Sequence, residues 1–175
     1  RVLKAMRRTY DADRYLTLVD RLRNAIPDLA LGTDIIVGFP GETEAEFGET
    51  LALVERVRFD SAFTFVYSAR SGTEAASMPD QVADDVKRDR MERLVAVVQR
   101  IAAERNATRI GCTEEVLVEG TSRTGPDLLR GRTRRNTTVN FRGDAQPGDL
   151  VPVVIAPATS TTLAGTQAAP VTAPS

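Results

Sequence analysis

The spacing of apolar residues changes once along this chain, near Ile110, and that change limits what it can become. Upstream, apolar side chains recur every three or four residues in three stretches, with two short β-branched runs between them. Downstream, the runs are short, alternate between apolar and polar, and end at Gly or Pro. A strand repeats every two residues and a helix every 3.6, so one pattern cannot serve the other element. Two bodies are therefore expected: α/β over residues 1–106 and small and all-β over 107–166. The stretch 167–175 is rich in Ala, Pro and Thr, has no means of burying a core, and is expected to be a disordered tail.

In the first body, residues 1–26 predict helix. After Asp11 a stripe runs through Tyr15, Val19, Leu22 and Ile26, and Pro27 stops it. Residues 29–37 (LALGTDIIV) are nearly continuous in apolar and β-branched side chains, as in a parallel-sheet strand covered on both faces. Thr43 and Glu46 then form a capping box, opening a helix that lines up Phe47, Leu51, Val54 and Val57. A second strand over 61–67 directs Phe63, Phe65 and Tyr67 one way and Ala62, Thr64 and Val66 the other. A long helix over 84–106 carries Met91, Leu94, Val95, Val98, Ile101 and Ala102 on one stripe. Helices alternating with strands imply βαβ units and a parallel sheet. Two strands alone would each leave an unpaired edge. Partner strands are expected before Arg1, where the chain starts without Met inside a helical pattern.

In the second body, 113–119, 128–134, 137–142, 149–156 and 161–166 read as strands separated by Gly and Pro turns. Five short strands in so few residues suggest a closed barrel of OB-like size.

Composition narrows the chemistry. The 175 residues contain no His, which removes the commonest general base and metal ligand. Cys112 is the single Cys, so neither a disulfide framework nor a four-ligand metal site can be assembled, and it reads as a small apolar filler. No apolar run reaches the roughly 18 residues of a membrane span and no signal peptide is evident, so a soluble, cytoplasmic protein without a membrane partner is expected. Lys plus Arg (23) and Asp plus Glu (24) nearly cancel, which leaves local charge to indicate partners.

Three segments could carry function. In Thr33–Thr43 a strand runs into Gly38-Phe39-Pro40-Gly41 and a helix start; in a (βα) barrel such strand ends form the active site. The two Gly would let backbone approach a ligand, although a plain βα turn uses the same residues. Asp34, inside an apolar strand, must be paired, hydrogen-bonded or facing a ligand. Glu42, at a helix start, fits a favourable partner for the helix dipole. Tyr67-Ser68-Ala69-Arg70 leaves the second strand on the same side, where Arg70 could hold a carboxylate or phosphate, or simply face solvent. Residues 130–142 hold five Arg (Arg130, Arg132, Arg134, Arg135 and Arg142) and no acid. Arg forks match phosphates and Phe141 would stack on an unpaired base; the bland alternative is a solvated hairpin with scattered ion pairs.

Four runs, RVLKAMRRTY (1–10), TDIIVGFPGET (33–43), VRFDSAFTFVYSARSGTEAASMPDQV (57–82) and LRGRTRRNTTVNF (129–141), together resemble the methylthiotransferase family of radical S-adenosylmethionine enzymes. Within it the likeness is to the branch acting on isopentenyladenosine in tRNA. The resemblance implies the C-terminal part of a partial radical-SAM (βα) barrel followed by a TRAM barrel, an RNA-binding module. It implies S-adenosylmethionine and two 4Fe–4S clusters as cofactors, a 5′-deoxyadenosyl radical, and methylthiolation of the adenine beside the anticodon. Asp34, Ile36, Gly38, Phe65, Tyr67 and Ser68 would then line the S-adenosylmethionine pocket, and the tRNA anticodon stem-loop would be the partner, alongside unknown electron and sulfur donors. The family's cluster-binding Cys are absent here and are expected upstream of Arg1, so these residues alone should be inactive. The superfamily pattern Gly-x-Ile-x-Gly-x-x-Glu fits in part: Ile36 and Gly38 are in step, Asp34 replaces the first Gly, and Glu42 falls one residue late. Alternatives are a sibling acting on threonylcarbamoyl-adenosine or a ribosomal protein, whose branch tends to carry an acid where Arg70 stands, and a non-catalytic RNA-binding protein.

Overall fold

The computed structural model describes residues 1–169, which divide into two compact units, Arg1–Ile101 and the residues from Ala102 onward. The first begins with two helices where one was expected, α1 (Val2–Ala5) and α2 (Ala12–Ala25). Asp11 gives α2 a start of its own. Its side chain accepts from the Arg14 N–H at 2.9 Å, and its extended backbone (φ −112°, ψ 179°) cannot continue a helix arriving from Met6. Arg7, in the left-handed region at φ 58°, completes the break.

Strand β1 (Gly32–Val37), helix α3 (Glu44–Val57) and strand β2 (Ser61–Val66) form a βαβ unit. Its strands run parallel, in register from Gly32 opposite Ser61 to Val37 opposite Val66. The capping box at Thr43 and Glu46 is present in both directions. A 3-10 turn (Glu74–Ser77) leads to α4 (Asp84–Ala107). One face of the β1–β2 pair packs Ile35 and Val37 against Val19, Phe47, Val54, Val57, Phe59, Leu94 and Ile101. A fully buried side chain such as Phe47 contributes about 1.5–3 kcal/mol here.

The opposite face is bare, where the sequence implied cover on both sides. Ile36 is 36% exposed, Phe65 49% and Phe63 70%. Register puts Asp34 beside Phe63 and Ile36 beside Phe65 on that face. Among the described residues β1 and β2 pair only with each other.

The second unit closes on itself. Strands β3 (Thr113–Thr121), β4 (Leu129–Thr133), β5 (Thr138–Arg142), β6 (Leu150–Ala158) and β7 (Thr162–Gln167) form a closed barrel in the order β3-β4-β5-β7-β6. All pairs are antiparallel except β5 with β7. The five expected strands are all found, each displaced by no more than two residues at either end. Val116, Val118, Val139, Phe141, Val151, Val153, Ile155 and Leu163 fill the interior. The tail expected from 167 starts as ordered chain: Gln167 ends β7 and the Ala168 N–H donates to Pro152 O at 2.8 Å. The rest of that expected tail, 170–175, lies outside the described residues. Among the described residues no helix is long and apolar enough to cross a membrane.

Candidate functional site

The first candidate site is built where β1 ends. Gly38 and Gly41 both take positive φ (74° and 76°), which lets the chain double back within four residues and begin α3. The Gly41 N–H donates to Asp80 O at 2.7 Å and the Glu42 N–H to Phe39 O at 2.9 Å. Glu42 does more than partner the helix dipole, the role its place before α3 suggested. It is buried, and its carboxylate accepts from the Gly38 N–H at 2.7 Å and from Arg90 Nη1 at 2.9 Å. The same Arg90 nitrogen donates to the Glu42 carbonyl at 3.0 Å, and the guanidinium lies over the Phe47 ring, 5.6 Å from its centroid. Removing one partner of such a buried pair strands a charge and costs about 3–5 kcal/mol.

Sequence reasoning missed Arg90. Its signal was present: Arg90 stands one helical turn before Leu94 and in line with Ile101, so a charged residue occupies a core-facing position of the long helix. Lys87, one turn earlier, lies across Gly38, where a Cβ would come within 2.5 Å of its Cγ.

Beside this turn, a cleft of about 680 Å³ runs along β1 between the N-terminal segment and α3. Asp34, Ile36 and Phe65 line it, together with Met6, Tyr10 and Glu46. Asp34 is exposed and makes no hydrogen bond or ion pair among the described residues, which leaves its carboxylate available. The other three expected cofactor residues do not line the cleft. Gly38 is buried in the turn, and Ser68 is exposed on the following loop. Tyr67 packs edge-on against Phe39 at 5.3 Å, with its hydroxyl buried and without a partner among the described residues. Arg70 is exposed on that loop.

At the far wall Arg1 bonds to the carboxylate of Glu46 and to the Gly41 carbonyl. The Arg1 guanidinium, followed by the Thr43 N–H, holds the Glu46 carboxyl down at about 2.

The second candidate site is the outer face of the barrel. Alternation along β4 turns Gly131 and Thr133 inward, while Arg130, Arg132 and Arg134 point outward. These three meet acids on β3 that the hairpin's own composition does not show. Arg132 Nε donates to Glu119 at 2.8 Å, Arg134 Nε to Glu115 at 2.8 Å, and Arg130 Nε lies 3.3 Å from Glu119. Arg132 also reaches Asn136 Oδ1 at 3.0 Å. Arg135 is half-buried, and Arg142 is exposed at the end of β5.

Phe141 is a correction. It was expected to stack on a base, but it is fully buried in the barrel core and has no free face. Its register opposite Leu129 places it on the inner side, while Asn140, opposite Arg130, points outward. Alternation within 137–142 puts Phe141 on one face with Val139, and Asn140 on the other, without saying which face is inside.

Among the described residues no group of three or more His, Cys, Asp or Glu could hold a metal ion. Cys112 is half-buried, with its thiol 3.8 Å from Thr108 O.

The model of the Radical SAM superfamily matches residues 1–54, and that of the TRAM domain matches residues 107–167. The closed five-stranded barrel fits the OB-like architecture of the latter. A Clostridium botulinum (strain Hall) protein named tRNA-2-methylthio-N(6)-dimethylallyladenosine synthase is 53% identical over 167 residues, which are 95% of this chain and 37% of that protein. A Thermoanaerobacter sp. (strain X514) protein of the same name is 54% identical over 144 residues, 82% of this chain and 31% of its own. One from Acetivibrio thermocellus is 53% identical over 156 residues, 89% of this chain and 32% of its own. The chain thus spans about a third of the length of the curated relatives it matches. The resemblance to radical S-adenosylmethionine methylthiotransferases is borne out.

Proposed function

We propose that these residues belong to a tRNA methylthiotransferase that converts isopentenyladenosine beside the anticodon to its 2-methylthio form in the cytoplasm. The observation that carries this reading is the 53% identity across 95% of the chain to a protein named for that product. In this reading residues 1–106 are the C-terminal part of a partial (βα) barrel, and 107–166 are its RNA-binding module.

S-adenosylmethionine suits the open face of β1 and β2. Asp34 offers an unpaired carboxylate to a hydroxyl or ammonium, and Ile36 and Phe65 offer an apolar surface to an adenine. The buried Tyr67 hydroxyl, without a partner among the described residues, is a further polar group that a ligand or water would satisfy. When bound, S-adenosylmethionine supplies the radical that activates the nucleoside and the methyl group that completes the product. The chain's own residues bind and orient it, with the Gly38–Gly41 turn fixing the end of the strand.

The 4Fe–4S clusters do not fit these residues. With one Cys and no His, their ligands must come from a longer polypeptide, and the 175 residues alone would be inactive. On the barrel, Arg130, Arg132, Arg134, Arg135 and Arg142 are the contacts proposed for the phosphates of an anticodon stem-loop.

Mass spectrometry of nucleosides from total tRNA, with and without the gene, tests the reading. Loss of the 2-methylthio group with accumulation of isopentenyladenosine is the expected result. An unchanged tRNA profile would exclude a tRNA substrate.

A further inference from the structure

We infer that Arg90 is a positioning residue for the cofactor-facing end of β1, acting through the carboxylate of Glu42 on the turn Gly38–Gly41. This rests on the functional reading above, because it takes the strand end as the S-adenosylmethionine site.

Three features of the turn make such a clamp necessary. Gly38 and Gly41 both sit at positive φ, so the backbone there has more freedom to lose than any other residue pair would bring. Pro40 has no N–H, so the turn has few internal hydrogen bonds with which to hold itself. Its neighbouring strand β2 ends at Val66, so the ladder stops where the turn begins, apart from the Tyr67 N–H donating to Val37 O.

Arg90 supplies what is missing. Its side chain is 5% exposed and that of Glu42 is 4% exposed, and one guanidinium nitrogen reaches both the carboxylate and the carbonyl of Glu42. The carboxylate then accepts from the Gly38 N–H. A chain of three charge-assisted bonds thus runs from the middle of the core to the first residue beyond β1, in a setting that water does not screen. Phe47 and Glu44 fix the guanidinium from its other sides, at 5.6 Å and 3.4 Å. Ile36 and Asp34 stand two and four residues before Gly38, so any drift of the turn moves them against a bound ligand. A site that must be re-formed as the ligand binds loses affinity through the cost of ordering it.

Arg90→Lys is the first test, because it keeps a positive charge beside Glu42. Its ammonium lacks the planar fork whose Nη1 holds Glu42 while Nε faces Glu44. In the cluster-loaded, full-length enzyme, KM for S-adenosylmethionine should rise about fivefold while kcat stays within about twofold, as for lost positioning of the ground state. In the protein without cofactors, amide hydrogen exchange over residues 38–42 should quicken about tenfold, with peptides from α3 and α4 unchanged. The pair Arg90→Met with Glu42→Gln leaves no lone buried charge and keeps an oxygen for the Gly38 N–H. It should restore part of the exchange protection that Arg90→Met alone loses.

Unchanged exchange over 38–42, or exchange that rises equally throughout α3 and α4, would overturn the clamp and make Arg90 a general support of the fold. If the wild-type enzyme bound no S-adenosylmethionine, the functional reading would fail instead, and the exchange result would still decide whether Arg90 holds the turn.

Discussion

Phe63 and Phe141 are the same residue type on the same kind of element, yet one is 70% exposed and the other is fully buried. The difference lies in how the two sheets end. In the barrel every strand has two neighbours, so alternation sends one set of side chains into an enclosed interior. In the first unit, among the described residues, β1 and β2 have only each other, and just one of their two faces meets helices. Closure makes a sheet complete, whereas an open parallel pair leaves a face for something else to cover.

The largest effect should come from breaking the closed region at its centre. Phe141→Ala should destabilise the barrel by about 3–5 kcal/mol, read by chemical denaturation with exchange over β3–β7. Phe63→Ala, on the bare face, should cost within about 0.5 kcal/mol. Equal costs would mean that Phe63 is covered and that the contrast is false. Gly131→Ala comes next. Its Cβ would clash with the Leu117 carbonyl, so β3 and β4 must separate, at about 1–3 kcal/mol. A neutral Gly131→Ala would show that the barrel is looser than its register implies.

Smaller effects probe the surfaces. Arg132→Ala or Arg135→Ala should weaken binding of an anticodon stem-loop and lower its salt slope by about one each. Glu119→Gln should do the reverse, strengthening binding about threefold, because Glu119 holds both Arg130 and Arg132. Affinities and slopes that ignore both changes would reduce the Arg row to a solvated face.

The smallest effect is a matter of pH. Glu46 titrates at about 2 in the folded protein against an ordinary 4.5, so its contribution is full above pH 4.5 and lost as pH falls to about 2. Glu46→Gln should flatten the fall of stability across that window. A wild-type curve that is already flat there would refute the Arg1–Glu46 contact.

Much of this could be read from the residues, for physical reasons. The barrel strands were legible because period-two alternation and Gly or Pro turns are local signals. The capping box at Thr43 was legible because both its members lie within one turn. The break at residues 6–11 was not, since α1 and α2 share a helical period and only Asp11 marks the second start. Alternation showed which residues share a face but not which face is inside, and so Phe141 was placed on the surface. Arg90 and Glu42 meet across 48 residues, and Arg130, Arg132 and Arg134 find their acids on a neighbouring strand. Contacts of that range depend on the fold and leave no local pattern. Asp34 is the intermediate case: its oddity within an apolar strand was visible, and its open setting, without a partner among the described residues, was not.

The position of β7 has a consequence for how the barrel comes into being. It is the last of the described strands in chain order, yet it lies between β5 and β6 and pairs with both. During synthesis β6, β3, β4 and β5 can assemble as a four-stranded sheet, but its two outer strands stay open until Gln167 leaves the ribosome. The interior around Phe141 therefore stays accessible to water and to other chains until translation has passed Thr162–Gln167. Final closure is a single late, long-range event, the kind that sets the pace of folding. A stop codon a few residues earlier would leave an assembled sheet with nothing to seal it.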